Sequence, residues 1–216
     1  MILYGRNAVQ EAQRGRRGVL RVWTADDTSG EELERLCGSG DHQGFVAEVE
    51  PYHYVDPAEV LAPENALVVA LDQVQDPQNV GAICRSAEGA GASGVVIPEH
   101  GGALVTPAVC RASAGAVEHL AVARVRNLAD FLSMAKREGA WVYGAEAGAD
   151  KPYWEPDYGG RVVIVLGSEG RGLRPRVRDS CDALVGLPLQ GMIGSLNVGA
   201  TAAVLLYEIV RQRTTS

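Results

Sequence analysis

Two short apolar runs restrict the fold more than anything else in the chain. Residues 66–71 (Ala-Leu-Val-Val-Ala-Leu) and 162–166 (Val-Val-Ile-Val-Leu) carry no polar side chain on either alternating face. A strand with one wet face alternates apolar and polar residues, whereas a strand with no polar position is covered on both sides, as inside a parallel sheet. Between and after the two runs, helix signals alternate with further strands. Asp76-Pro77 reads as a helix start, with Asp as N-cap and Pro in the first turn, and Gly91 ends that helix after Ala90. Residues 94–97 read as a short strand, and Thr106-Pro107 opens another helix. An amphipathic helix is expected over 128–138, strands over 140–145 and 183–187, and a long closing helix over 196–213, capped by Ser195. This alternation predicts an α/β fold, a parallel sheet with helices on both faces. Ligands of such sheets bind beyond the carboxyl ends of the strands. Chemistry is therefore expected in the loops after Leu71, Leu166 and Leu187.

The first third reads as a small α/β unit. It has a helix over 5–14, a strand over 19–23, a capping box of Ser29 and Glu32 opening a helix to Leu36, and a half-buried strand over 44–50. Pro51, Pro57 and Pro63 punctuate a stretch with few long apolar runs. The expected organisation is a unit over 1–50, a linker over 51–65 and a larger domain over 66–216.

Composition narrows the function. A formal net charge of −7 speaks against a protein that coats nucleic acid nonspecifically, since that binding rests on an excess of Lys and Arg. Arg171, Arg174, Arg176 and Arg178 still fall within eight residues, either as a solvated face or as a local basic surface. No stretch approaches the roughly 20 apolar residues of a membrane span. Cys37, Cys84, Cys110 and Cys181 form no CxxC pair and no histidine stands at metal-ligand spacing from them, so neither a zinc site nor a disulfide framework is expected. The Arg-rich first 18 residues contain Glu11 and no serine, which argues against a transit peptide. A cytoplasmic protein with reduced thiols is the expectation.

Three segments carry candidate chemistry. In Asp76-Pro77-Gln78-Asn79-Val80-Gly81 through Arg85, Asn79 lies in the first helical turn, and Arg85 is long enough to reach back toward it. Leu166-Gly167-Ser168-Glu169-Gly170-Arg171-Gly172 is a glycine-rich loop leaving a buried strand, with one carboxylate and neither the lysine of a phosphate-binding loop nor a dinucleotide fingerprint. Leu187-Pro188, with Met192, Ile193 and then Ser195-Leu196-Asn197-Val198, is an apolar loop able to wrap a nucleoside. Each alone has an ordinary reading as a turn, a cap or a surface residue.

Together, in this order and spacing, they resemble the SpoU/TrmH family of RNA 2′-O-ribose methyltransferases over roughly residues 67–213. The resemblance implies S-adenosylmethionine as cofactor, no metal, and a homodimer whose active site is completed across the subunit interface. It also implies a C-terminal trefoil knot, which general rules of chain connection would have argued against. Carried over by motif, Asn79, Arg85, Glu169, Ser195 and Asn197 are the polar active-site positions. Gly167, Gly170, Leu187, Met192, Ile193, Ser195 and Leu196 would hold the cofactor, and Arg85, Arg111, Arg171 and Arg174 the RNA. The resemblance points to Arg85 as proton acceptor, yet arginine stays protonated in proteins. The preferred roles are a phosphate contact and alkoxide stabilisation for Arg85, with Ser195 or Glu169 helping to move the proton. Tyr4-Gly5-Arg6-Asn7-Ala8-Val9 and His42-Gln43-Gly44 resemble the ribosomal-protein-like substrate-binding domain of the ribosomal-RNA branch. Little chain separates Leu36 from His42, where relatives carry a further strand and helix, so the domain reads as shortened. The expected substrate is 23S ribosomal RNA. Transfer RNA, or a non-catalytic role in RNA binding or ribosome assembly, is the alternative.

Overall fold

In the computed structural model, which describes residues 1–215, the two apolar runs become neighbouring strands near the middle of a seven-stranded sheet. The first part of the chain forms β1 (Ile2–Tyr4), α1 (Arg6–Arg14), β2 (Val19–Thr24), α2 (Gly30–Cys37), β3 (Phe45–Val49) and α3 (Pro57–Leu61). There follow β4 (Leu67–Asp72), α4 (Pro77–Gly89), β5 (Gly94–Pro98), α5 (Pro107–Ala112), β6 (Val122–Val125), α6 (Leu128–Arg137) and β7 (Trp141–Ala145). The chain closes with β8 (Lys151–Pro152), β9 (Val162–Gly167), α7 (Pro175–Asp179), β10 (Ala183–Gly186) and α8 (Val198–Thr215).

The large sheet has the order β6-β5-β4-β9-β7-β10-β8, and its pairings are parallel. β4 and β9 pair in register from Leu67 opposite Val162 to Asp72 opposite Gly167. Their side chains alternate between two separate cores. Leu67, Val69 and Leu71, with Val162, Ile164 and Leu166, pack against α4, α5 and α8. Val68, Ala70, Val163 and Val165 pack against α3, α6 and α7. Both faces are thus dry, which is why neither run tolerates a polar residue.

The expected caps act locally. The side chains of Asp76, Thr106 and Ser29 accept the backbone N–H groups of Gln78, Val109 and Glu32. The closing helix starts two residues later than expected. Asn197, not Ser195, is its cap, because its Oδ1 accepts the N–H groups of Gly199 and Ala200 at 2.9 and 3.2 Å. The stretch expected as a linker holds α3, capped by Asp56 on both sides of a capping box, and buries Val60 and Leu61.

The first strands form a separate antiparallel sheet, β1-β3-β2. This unit and the stretch just after it are tied firmly to the turn between α5 and β6. Arg17 and Glu118 form an ion pair whose side chains are 6% and 1% exposed. Tyr52 Oη donates to the carbonyls of Val117 and Leu120, and Glu11 meets His119 at 2.8 Å. Breaking a buried pair on one side costs about 3–5 kcal/mol, so the ion pair fixes the unit's placement.

Candidate active site

The site grows out of the carboxyl end of β9. Directly after it, Ser168 and Gly172 exchange backbone hydrogen bonds and close a tight loop. A Cβ on Gly167 would stand 2.3 Å from the carbonyl carbon of Gly172, so only glycine permits the pinch. The loop's far end is anchored by Arg174. Its backbone N–H and its Nε each donate at 2.7 Å to the carboxylate of Asp72, which is fully buried at the end of β4.

The pinched loop presents Glu169 to two amides from distant parts of the chain. Glu169 Oε1 accepts from Asn79 Nδ2 at 3.0 Å and from Asn197 Nδ2 at 2.8 Å. Asn197 Nδ2 also donates to Asn79 Oδ1 at 2.8 Å. Asn79 is buried in the first turn of α4, and Asn197 caps α8, so two helix starts converge on one carboxylate. Hydrogen bonds to a charged acceptor are the stronger kind, and the trio holds itself without outside help.

Glu169 and Asn197 border a cleft of about 570 Å³ lying beyond the carboxyl ends of β7, β9 and β10. The size suits a small-molecule site. Of the residues expected to hold a cofactor, Gly167, Gly170, Leu187, Ser195 and Leu196 line it. Met192 and Ile193 do not; their side chains stand in solvent at 102% and 78% exposure. Among the described residues nothing covers these two side chains, so the apolar character that suggested a nucleoside wall is left exposed.

The cationic candidates scatter. Arg85 lies exposed on α4, away from the cleft, with no hydrogen bond or ion pair among the described residues. Arg174 is committed to Asp72, Arg176 to Asp130 at 3.2 Å, and Arg178 to Glu146. Arg171 alone of that run is unpaired among the described residues. Arg111 sits in a second, smaller cleft at the junction with the small sheet.

Sequence reasoning missed the wall formed by Ala145, Glu146 and Ala147, together with Leu189 and Thr201. The signal was available for the first three, since they follow a strand and so belong to the ligand-binding edge of the sheet. Arg178 grips the Glu146 carboxylate with two hydrogen bonds, at 2.7 and 3.0 Å. Those bonds hold the Glu146 pKa below the ordinary carboxylate value, against the opposing effect of burial. Among the described residues no group of three His, Cys, Asp or Glu side chains is placed to hold a metal.

Comparison with known proteins points in one direction. A family model described as the SpoU rRNA Methylase family matches residues 66–207. A second, described as RNA 2′-O ribose methyltransferase substrate binding, matches residues 26–55. The Bacillus subtilis protein YacO, named for TrmH family tRNA/rRNA methyltransferases, is 36% identical over 235 residues, covering 97% of this chain and 94% of its own. A tRNA/rRNA methyltransferase of Synechocystis, itself uncharacterized, is also 36% identical, over 98% of this chain and 62% of its own. The chain therefore spans about three-fifths of that relative and nearly all of the Bacillus one. An AdoMet-bound rRNA methyltransferase from Sinorhizobium meliloti superposes with a TM-score of 0.84 at 25% identity, covering 97% of this chain and 86% of that one. The SpoU methyltransferase AviRb from Streptomyces viridochromogenes shares the fold with a TM-score of 0.86 at 24% identity, over 100% and 91% of the two chains.

Proposed function

The chain belongs to the SpoU rRNA Methylase family, and on that premise we propose that it transfers the methyl group of S-adenosylmethionine to a ribose 2′-hydroxyl of structured RNA. The carrying observation is the carboxylate of Glu169 clasped by Asn79 and Asn197 at the border of the cleft.

The residues present suit this cofactor. Leu166, Leu187, Leu189, Leu196 and Val198 offer apolar surface for an adenine, and Ser168 and Thr201 offer polar groups at its edges. Glu146 and Glu169 are the carboxylates lining the cleft, and they favour a positively charged ligand. When bound, S-adenosylmethionine supplies a methyl group on a cationic sulfur, open to in-line attack. The protein's part is then mostly positioning. Asn79 and Asn197 fix Glu169, and Ser195 or Glu169 helps move the ribose proton. Arg85 binds a substrate phosphate and stabilises the developing alkoxide.

Arg85 serves this role in a homodimer, where the site is completed by the second subunit. An apolar stripe on one side of α8 supports that assembly. Val204 and Tyr207, one helical turn apart on α8, are 37% and 55% exposed, and Leu196, Met192 and Ile193 in the loop before α8 are exposed too. Exposed large apolar side chains gathered in one stretch of chain suit an interface. The same reading gives residues 66–216 a trefoil knot. Its support is the way the 167–172 loop and the segment before α8 meet in one cleft while α8 turns back onto α4. Residues 1–50 are a shortened RNA-binding unit joined through 51–65. The rRNA Methylase family model over residues 66–207 favours ribosomal RNA, here read as 23S, over transfer RNA. The four free thiols suit a cytoplasmic protein.

The test is transfer of tritium from labelled S-adenosylmethionine to unmodified 23S ribosomal RNA and to bulk transfer RNA in parallel. Label on the ribosomal RNA is expected. Label on transfer RNA alone overturns the substrate, and binding of cofactor without label on either favours the non-catalytic role.

A further inference from the structure

The two carboxylates of the large cleft are held in different ways. Glu169 is clasped by the neutral amides of Asn79 and Asn197. No cation pairs with it among the described residues, so its charge stays open to the cleft. Glu146 lines the same cleft but is matched by a cation. Arg178 Nε donates to its Oε2 at 2.7 Å and Arg178 Nη2 to its Oε1 at 3.0 Å, while Arg178 itself is not part of the cleft lining. One bond falls on each oxygen. A carboxylate has about four lone-pair sites, and Glu146 has no other partner among the described residues, so each oxygen keeps acceptor capacity free. What Glu146 offers a ligand is thus less a charge than two acceptors side by side on a fixed group.

The backbone turns the two groups apart. Glu146 directly follows β7, and its N–H donates to the carbonyl of Val185 in β10 at 3.0 Å. Glu169 follows β9 and is drawn toward Asn79, in the helix after β4. The sheet order here is β4-β9-β7-β10, with about 4.8 Å between neighbouring strands, so the carboxylates stand toward opposite ends of the cleft. We infer that Glu146 holds the 2′- and 3′-hydroxyls of the cofactor's ribose, one on each oxygen, with Arg178 as the residue that positions it, and that the cationic end of the cofactor lies toward Glu169. A cis-diol presents two donors on adjacent carbons, which matches the two oxygens of one carboxylate. An acid at the carboxyl side of the sheet takes a ribose hydroxyl in dinucleotide-binding folds for the same reason. A cation, by contrast, gains little from a carboxylate that an arginine has already neutralised. The inference rests on the reading that the cleft binds S-adenosylmethionine.

The test is binding of S-adenosylhomocysteine and of its 2′-deoxy and 3′-deoxy forms to the wild type, Glu146→Ala and Arg178→Gln. Calorimetric titration gives the affinities, and thermal unfolding checks that each variant is folded. In the wild type each missing hydroxyl is expected to weaken binding about tenfold, the share of one hydrogen bond to a charged group. Glu146→Ala is expected to bind the parent compound at least about tenfold more weakly, and to bind all three forms alike. Arg178→Gln leaves the carboxylate in place but unaimed, and is expected to keep only part of the penalty. A pair that serves stability alone would lower Tm in the variants and leave the ratio of parent to deoxy affinity at its wild-type value, which overturns the inference. So does a wild type that binds all three forms equally, or a full deoxy penalty that survives in Glu146→Ala. Both side chains are partly exposed, so the fold is kept. Should Glu146→Ala nonetheless fail to fold, the affinity ratio in Arg178→Gln decides. A wild type that binds neither S-adenosylmethionine nor S-adenosylhomocysteine sinks the cofactor reading itself, and the ribose assignment falls with it.

Discussion

Asn197 holds two jobs that substitution can separate. Its Oδ1 caps α8 through Gly199 and Ala200, while its Nδ2 bonds Glu169 and Asn79, both at 2.8 Å. Asn197→Ala removes both functions. Loss of the cap costs about 1 kcal/mol, and a chain of this size loses about 2–4 °C in Tm for each kcal/mol. Asn197→Asp keeps the cap, because Asp and Asn are equally good there. It cannot donate, however, and it sets a second carboxylate against Glu169. One hydrogen bond to a charged group, worth about 1.5–3 kcal/mol, is lost together with one between neutral groups, worth about 0.5–1.5 kcal/mol. If about 2–4 kcal/mol of that is needed to hold the transition state, turnover falls about 30- to 1000-fold. The assay pairs thermal unfolding with methyl transfer to RNA at saturating cofactor. The expected pattern is lost turnover in both and a lowered Tm in both, with Asn197→Ala losing about 2–4 °C more for the missing cap. An Asn197→Asp protein with wild-type turnover, or with the same Tm loss as Asn197→Ala, would refute the division of labour.

Three further outcomes follow from the geometry. Asp72→Ala strips the buried acceptor from the Arg174 backbone N–H and Nε, and should cost about 2–4 kcal/mol, with weakened S-adenosylmethionine binding as the 167–172 loop loosens; calorimetric unfolding and cofactor titration check both. Glu146 has a depressed pKa, so its contribution is present above the ordinary carboxylate range and is lost as pH falls through the folded value. Arg178→Gln should therefore lower stability only slightly at neutral pH, because both side chains are partly exposed, and the difference from wild type should vanish in unfolding curves at acid pH. Burial pushes the thiols of Cys84, Cys110 and Cys181 up to about 12. A thiol-specific chromogenic reagent at pH 8 should accordingly label Cys37 alone at an appreciable rate in the native protein, with the other three appearing on denaturation.

Much of the sheet was legible because the physics acting on it is local. A strand dry on both faces must lack polar residues, and 66–71 and 162–166 show that without reference to anything distant. Caps such as Asp76 act within two or three residues and are equally visible. β6 was missed because Val-Ala-Arg-Val is short and interrupted; its Arg124 points outward and lies over Tyr54. α3 and α7 have five residues each, too few for periodicity to register. Ser195 and Asn197 are both good caps two positions apart, so local chemistry could not choose between them. The choice falls to Asn197 because only its amide also reaches Asn79 and Glu169. The pairing of the basic run was hidden for the same reason, as the partners of Arg174 and Arg176 lie in β4 and α6, far off in sequence. For Met192 and Ile193 the sequence showed apolar character correctly, but not which surface would cover it.

The most direct test of the proposed chemistry is the position of the transferred methyl group. RNA labelled by the protein would be digested to nucleosides and analysed by mass spectrometry, with a parallel sample treated with alkali. A single 2′-O-methylnucleoside, its label in the sugar fragment and its 3′ phosphodiester resistant to alkali, is the predicted result. A methyl on a base, with the adjacent linkage cleaved by alkali like any other, would contradict the account.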